Sequence, residues 1–176
     1  MAVDAVPPHA ATDAANTSAF LRVTGAGQSV CVFGLGLRMY ALDTAVVGEV
    51  IIVDSLMPVP RAPAAVLGLC SLRGTPVALL DTSAVLNLGE SRGRPRDQGQ
   101  VALVVRTSHI VGALWVDRVE AILSWSSLKL MPRSQTHEHD AVAGLVTQID
   151  TASPSSAITL LSHLSLLTRL QQLRLR

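Results

Sequence analysis

The sequence predicts an all-β fold, a sandwich or barrel. Three observations carry this. Ten short apolar runs follow one another from Ser29 onward, turn residues punctuate them, and no amphipathic helix of useful length appears before the C-terminus. The core must be aliphatic, because 49% of the 176 residues are hydrophobic while only 3% are aromatic.

Met1 to Gln28 is rich in Ala, Ser, Thr, Asp and Pro and reads as a disordered leader, residues 1–28. It carries Asp4 and Asp13 and no apolar h-region, so it does not read as a signal peptide. The predicted strands are Ser29–Gly34, Arg38–Ala41, Val46–Val53, Ala65–Leu72, Thr75–Leu80, Gln100–Arg106, Ile110–Val116, Ser127–Met131, Val142–Gln148 and Ala157–Leu161. Turn signals stand at Gly34–Gly36, Pro58–Pro63, Arg73-Gly74 and Ser153–Ser156. The charged break Gly89–Gly99 divides the strands into two similar sets, and its Arg92, Arg94 and Arg96 read as part of a solvated loop. Short helical turns are expected at Asp43–Val46 and after Asp81, since Asp is a good N-cap. The one substantial helix is expected at the C-terminus, capped by Ser162, with Leu164, Leu167, Leu170 and Leu173 on its buried face. Arg169, Arg174 and Arg176 complement its dipole.

Charged residues make up 15% of the chain, below the usual quarter or so, which points to apolar surface used in protein contacts. A net charge of +1 provides no field for nucleic acid or anionic lipid. The uncharged run Thr151–Thr168 is too rich in Ser and Thr for a membrane span. Cys31 and Cys70 lie inside apolar runs, as reduced thiols of the cytosol do.

Arg73 is the residue of greatest interest. It stands with Gly74 between the runs Ala64–Leu72 and Pro76–Leu80, so a lone guanidinium sits at the turn of an apolar hairpin. Burying it unpaired is too costly, which leaves two readings of equal weight. Either its rigid five-donor fork meets a partner, or it pairs with an internal acid such as Glu49 or Asp81. Elsewhere, Val30 to Gly36 enters G-x-G with Asp54 downstream, the start of a dinucleotide-binding pattern. Met39 replaces the third Gly and no long helix follows, so a Gly-rich hairpin between Phe33 and Leu37 is preferred. The ligand types His137, Glu138, His139 and Asp140 lack further support and read as an exposed loop. His109 and His163 read as surface or interface residues, and Asp43, Asp81 and Asp117 as turn and cap residues rather than catalytic acids. No catalytic residue, cofactor or metal site is expected, and the chain does not read as an enzyme.

Three blocks resemble the CheW-like domain family of bacterial chemosensory adaptors. They are Tyr40–Asp43 with Val46–Val50; Val59-Pro60, Val66–Gly68, Leu72–Gly74 and Val77–Asp81; and Val101–Val105, Ile110–Gly112 and Val116–Leu123. The second is similar to the family's most specific motif, which ends N-L-R-G followed by a strand and Asp. The resemblance implies two packed five-stranded SH3-like β-barrels with short helical turns and a C-terminal helix, spanning residues 29–176. It implies a non-enzymatic cytoplasmic scaffold between a chemoreceptor's cytoplasmic tip and the regulatory domain of a CheA-type histidine kinase, with the tip in the groove between the barrels. The matching partner-binding positions are Val47, Glu49, Gly68, Arg73 and Gly74, which turns the reading of Arg73 toward partner contact. Apolar positions around Gly112–Val116 and Pro58–Pro63 are expected at the kinase edge. Ser71 replaces the family's Asn, Ala78 its Pro, and Ser162 the Asp that opens the last helix. The alternatives are a nucleotide or small-ligand site at the Gly34/Gly36 turn, or a CheW-like decoy that binds only one array partner.

Overall fold

Two six-stranded sheets account for nearly all the regular structure. The computed structural model describes residues 21–22, 27–88, 100–107, 110–132, 142–148 and 157–172. In chain order the elements are β1 (Leu21–Arg22), β2 (Ser29–Leu35), β3 (Arg38–Asp43), β4 (Val47–Val53), β5 (Val66–Leu72), β6 (Thr75–Asp81), α1 (Thr82–Leu86), β7 (Gln100–Arg106) and β8 (Val111–Val116). They continue with β9 (Arg118–Ser124), a 3-10 turn at Trp125–Ser127, β10 (Leu128–Pro132), β11 (Val142–Gln148), β12 (Ile158–Leu161) and α2 (His163–Gln172).

The first sheet has the order β1-β4-β7-β8-β6-β5, the second β10-β11-β12-β3-β2-β9. Each holds one parallel pair, β6 with β8 and β12 with β3, and is otherwise antiparallel. Without the edge strands β1 and β10, both sheets follow one five-strand plan, including the place of the parallel pair. This is the pair of five-stranded units the sequence resemblance implied, each with one short strand added.

The charged break at 89–99 does not separate the units, contrary to the expectation from sequence. It lies between α1 and β7, and the strands on either side, β6 and β7, belong to the same sheet. The chain instead crosses between sheets after β1, after β3 and after β8, so the second sheet combines β2 and β3 with β9 to β12. The leader reading needs one addition: Leu21 and Arg22 pair with Val50 and Glu49 of β4. Residues 1–20, 23–26, 89–99, 108–109, 133–141, 149–156 and 173–176 lie outside the described residues, and with them the expected roles of Arg92, Arg94, Arg96, Arg174 and Arg176.

Strand alternation sorts the apolar side chains into three clusters. In β2, Val30 and Val32 face the second sheet's own interior, while Cys31, Phe33 and Leu35 face a cluster shared with the first sheet. In β7, Ala102 and Val104 fill the first sheet's interior, and Leu103 and Val105 enter the shared cluster. Continuous burial along β2 follows from this double duty. The two Cys are free and buried, and burial pushes the Cys31 thiol up to about 11.

Of the three expected helix caps, Asp81 and Ser162 open helices, while Asp43 holds a plain turn at 44–46. Asp81 accepts from the backbone N–H of Ser83 and Ala84 at the start of α1, and the Ser162 hydroxyl accepts from Ser165 N–H at 3.3 Å. Ser162 thus performs the task of the family's Asp. The buried face of α2 agrees with the expected one at Leu170 and departs from it at Leu164, and Leu173 lies outside the described residues. Leu166 and Leu170, four apart, enter the shared core beside Leu86, whereas Leu164 is 67% exposed. Arg169 lies at the start of the last turn and donates to Val85 O of α1 at 3.2 Å, tying the two helices together. Leu166→Ala should therefore cost about 2–5 kcal/mol and lower the melting temperature by about 2–4 °C per kcal/mol. Leu164→Ala should stay within about 0.5 kcal/mol. Thermal melts of the two variants compare the faces directly.

Candidate functional site

The β5–β6 hairpin turns on two residues, with Leu72 paired to Thr75. Both turn residues have positive φ, 51° at Arg73 and 82° at Gly74. This is the pattern of a type I′ turn, whose hand suits twisted strands and which prefers Asn-Gly. Gly74 adopts it freely; Arg73 does so at a cost of about 1 kcal/mol or more. Ser71 Oγ accepts from Gly74 N–H at 3.3 Å, so the residue replacing the family's Asn still supports the turn.

Glu49 provides the opposing charge. A one-residue bulge interrupts β4 between Val47 and Glu49. Beyond it, Glu49, Ile51 and Val53 share a face by alternation, and the latter two belong to the first sheet's interior. The carboxylate therefore sits at the end of that interior, with its side chain only 7% exposed. Burying a charge there requires compensation. Arg73 Nη2 donates to Glu49 Oε2 at 2.8 Å, and Arg106 Nη2 lies 3.9 Å from Oε1. The two guanidinium side chains remain 47% and 54% exposed respectively.

The internal-pair reading of Arg73 is realised, and the guanidinium also stays half exposed. The acid is Glu49. Asp81 is committed to capping α1.

These groups line an open cleft of about 610 Å³, whose walls include Leu72, Pro76, Ala78, Ile110 and Val111. Ile110 belongs to the shared core, with Ala78 packed against it, while Leu72 belongs to the first sheet's interior, with Val111 packed against it. The cleft therefore opens at the seam between two apolar clusters. It can offer charge-assisted hydrogen bonds beside apolar wall. Its lining comes from the first sheet and the segments flanking it, not from both sheets.

The five expected positions are not all together. Glu49 and Arg73 meet in the lining of the cleft, and Gly74 follows Arg73 in the turn. Val47 is buried in the shared core. Gly68 is buried where segment 56–57 crosses β5, and an added Cβ would lie 2.6 Å from Met57 O. Sequence reasoning missed Arg106, although its signal matched that of Arg73: a single cation ending an apolar strand. The expectation of exposed apolar positions along Gly112–Val116 is corrected. This stretch of β8 runs between β7 and β6 and is buried throughout. In the Pro58–Pro63 loop, Pro58, Pro60 and Arg61 are exposed.

The Gly34/Gly36 turn has its groups committed internally. Gly36 N–H donates to Asp117 Oδ2 at 2.6 Å, and Arg118 Nη1 donates to Gly36 O at 3.3 Å. The space beside Gly34 is occupied by the Arg118 guanidinium, which also pairs with Glu120. A phosphate approaching the Gly36 N–H would meet a carboxylate, so the nucleotide reading of this turn falls. The three strand-end carboxylates act at turns and caps: Asp43 accepts from Ala45 N–H, Asp81 caps α1 and Asp117 holds the hairpin. His163 opens α2 on its exposed side. His109 and the run His137–Asp140 lie outside the described residues, and no cluster of metal-ligand types occurs among those described. No described helix is long and apolar enough to cross a membrane.

Comparison with known proteins agrees with this architecture. The family model described as CheW-like domain matches residues 29–171. The chemotaxis protein CheW of Rhizobium meliloti is 31% identical over 116 residues, covering 66% of this chain and 73% of that protein. The crystal structure of the scaffolding protein TtCheW from Thermoanaerobacter tengcongensis superposes with a TM-score of 0.59 at 24% identity, covering 77% of this chain and 88% of that one. At that identity, the structural likeness carries the fold alone.

Proposed function

The chain belongs to the CheW-like domain family, a family of chemotaxis adaptors and scaffolds rather than enzymes, and from that premise we propose that it couples chemoreceptors to a CheA-type histidine kinase. In this reading a receptor's cytoplasmic tip docks at the cleft beside Glu49, Arg73 and Gly74. Val47 and Gly68 shape the strands behind these residues. The kinase regulatory domain binds elsewhere on the same molecule, and the adaptor works in the cytoplasm, held at the membrane through its partners.

One observation carries the reading. Arg73 is a non-glycine residue in a left-handed turn, and its half-exposed guanidinium is steadied by a buried carboxylate. A fold seeking stability alone would place Asn there. Backbone strain retained at the lip of a cleft is characteristic of recognition sites. The Glu49 bond also holds the fork in place before binding, which reduces the ordering cost on association.

Reconstitution tests the proposal. Receptors in vesicles and a CheA-type kinase are assayed for phosphorylation with and without the full-length chain. The expected result is stimulation that requires all three components. Receptor binding without stimulation would instead identify a decoy that occupies array positions, and absence of receptor binding would overturn the proposal.

A further inference from the structure

Among the described residues that line it, the cleft holds two guanidiniums and one carboxylate. Two guanidiniums, Arg73 and Arg106, face one Glu49. Glu49 Oε2 takes a hydrogen bond from Arg73 at 2.8 Å. Arg106 approaches Oε1 only to 3.9 Å, within reach of an ion pair but beyond a hydrogen bond. Its side chain is 54% exposed on the cleft wall. The backbone beneath it is fixed, because Arg106 is the last residue of β7 and its N–H donates to Val46 O at 2.9 Å. Gly48 lies alongside, its ideal Cβ position 3.9 Å from Arg106 Nε, so no neighbouring side chain from that position crowds the guanidinium.

We infer that Arg106 is a specificity-determining residue that binds a carboxylate on the docking partner, so that the cleft selects a protein segment with an acidic side chain flanked by apolar ones. The inference rests on the cleft being the receptor-docking site. The charge count favours an anion: one added carboxylate brings the group of two Arg and one Glu to neutrality. The guanidinium fork suits two-point recognition of a planar carboxylate. The walls formed by Pro76, Ala78, Ile110 and Val111 accept the apolar neighbours of such a residue. Glu49 itself, buried and bonded to Arg73, repels a carboxylate placed too deep and so confines it to the Arg106 side.

The test uses the full-length chain and a chemoreceptor cytoplasmic fragment whose tip carboxylates are changed to Lys one at a time. Arg106→Glu should weaken binding about tenfold or more, and one carboxylate→Lys change in the fragment should restore it. Arg106→Gln, which removes the charge and has the shape of the Glu variant, should bind weakly and with less dependence on salt than the wild type. It serves as the folded control if Arg106→Glu melts early. Wild-type binding by both Arg106 variants, with binding lost in Arg73→Glu, would overturn the role of Arg106 and leave the docking cleft standing. Wild-type binding by all three would remove the cleft as well. Weak binding that no fragment reversal restores would overturn the partner carboxylate.

Discussion

Arg73→Glu is expected to abolish co-sedimentation with receptor fragments and also to lower the melting temperature. Two effects combine. The receptor loses a fixed cation, for which truncation of a charged interface pair suggests about 2–5 kcal/mol of binding. The fold loses the 2.8 Å bond to Glu49 and gains a carboxylate facing one that is almost wholly buried. Because Arg73 is half exposed, solvent screens the second effect, which we place at about 1–2 kcal/mol. A variant that disturbs the fold less is Arg73→Asn. Asn suits the φ of 51° better than Arg, offsetting part of the lost pair. Its melt should therefore lie closer to the wild type than that of Arg73→Glu, while receptor binding falls as far. Full binding by Arg73→Asn would remove the guanidinium from the docking site and leave it a purely internal role.

Gly68→Ala is expected to be among the most damaging single-methyl changes in the chain. The new Cβ would lie 2.6 Å from Met57 O and 2.8 Å from Leu56 Cγ. A side chain can rotate away from such contacts, but a carbonyl held by its own hydrogen bond cannot. Met57 exchanges two 2.8 Å backbone bonds with Leu69, so relief of the clash pulls segment 56–57 off β5. Overpacking and loss of these bonds together cost about 2–4 kcal/mol. For a chain of this length that lowers the melting temperature by roughly 4–16 °C. Hydrogen exchange at Met57 and Leu69 would report the same opening locally. Receptor binding measured well below the melt should persist, since Gly68 supports the docking surface from behind. A variant that melts normally yet fails to bind would instead make Gly68 a contact position.

Much of the fold was legible in the chain. Gln100–Arg106 and Val142–Gln148 form strands with the predicted ends, because each is a dense aliphatic run bounded by polar or turn residues. Asp81 and Ser162 cap helices as their chemistry dictates. Strand β9 escaped notice because only Asp117 separates it from β8 and because Arg118 and Glu120 interrupt its apolar pattern. Its side chains are alternately exposed and half buried rather than exposed and buried, so the period-two signal is weak. On α2, Leu170 was placed correctly, but Leu164 was taken for Leu166 for a related reason: with Leu at 164, 166, 167, 170 and 173, more than one stripe satisfies helical spacing.

The candidate site was half legible. Arg73 announced itself as a cation between apolar runs, with Glu49 and Asp81 as the acids offered to it, and the family resemblance favoured Glu49. Arg106 carried the same local signal but matched no motif, and no sequence rule brings a residue at the end of β7 toward one beside a bulge in β4. That juxtaposition depends on β4 and β7 pairing in register across more than fifty residues.

Local chemistry alone settled the all-β class, most strand ends, the caps at Asp81 and Ser162 and the turn at Arg73-Gly74, because those choices depend on neighbours within a few residues. Tertiary structure alone decided which strands share a sheet, which face of α2 is buried, and which cation stands beside Glu49. Each of these turns on surfaces meeting across long stretches of chain, where dense packing and the high cost of an unpaired buried charge select one arrangement among several that the local pattern permits.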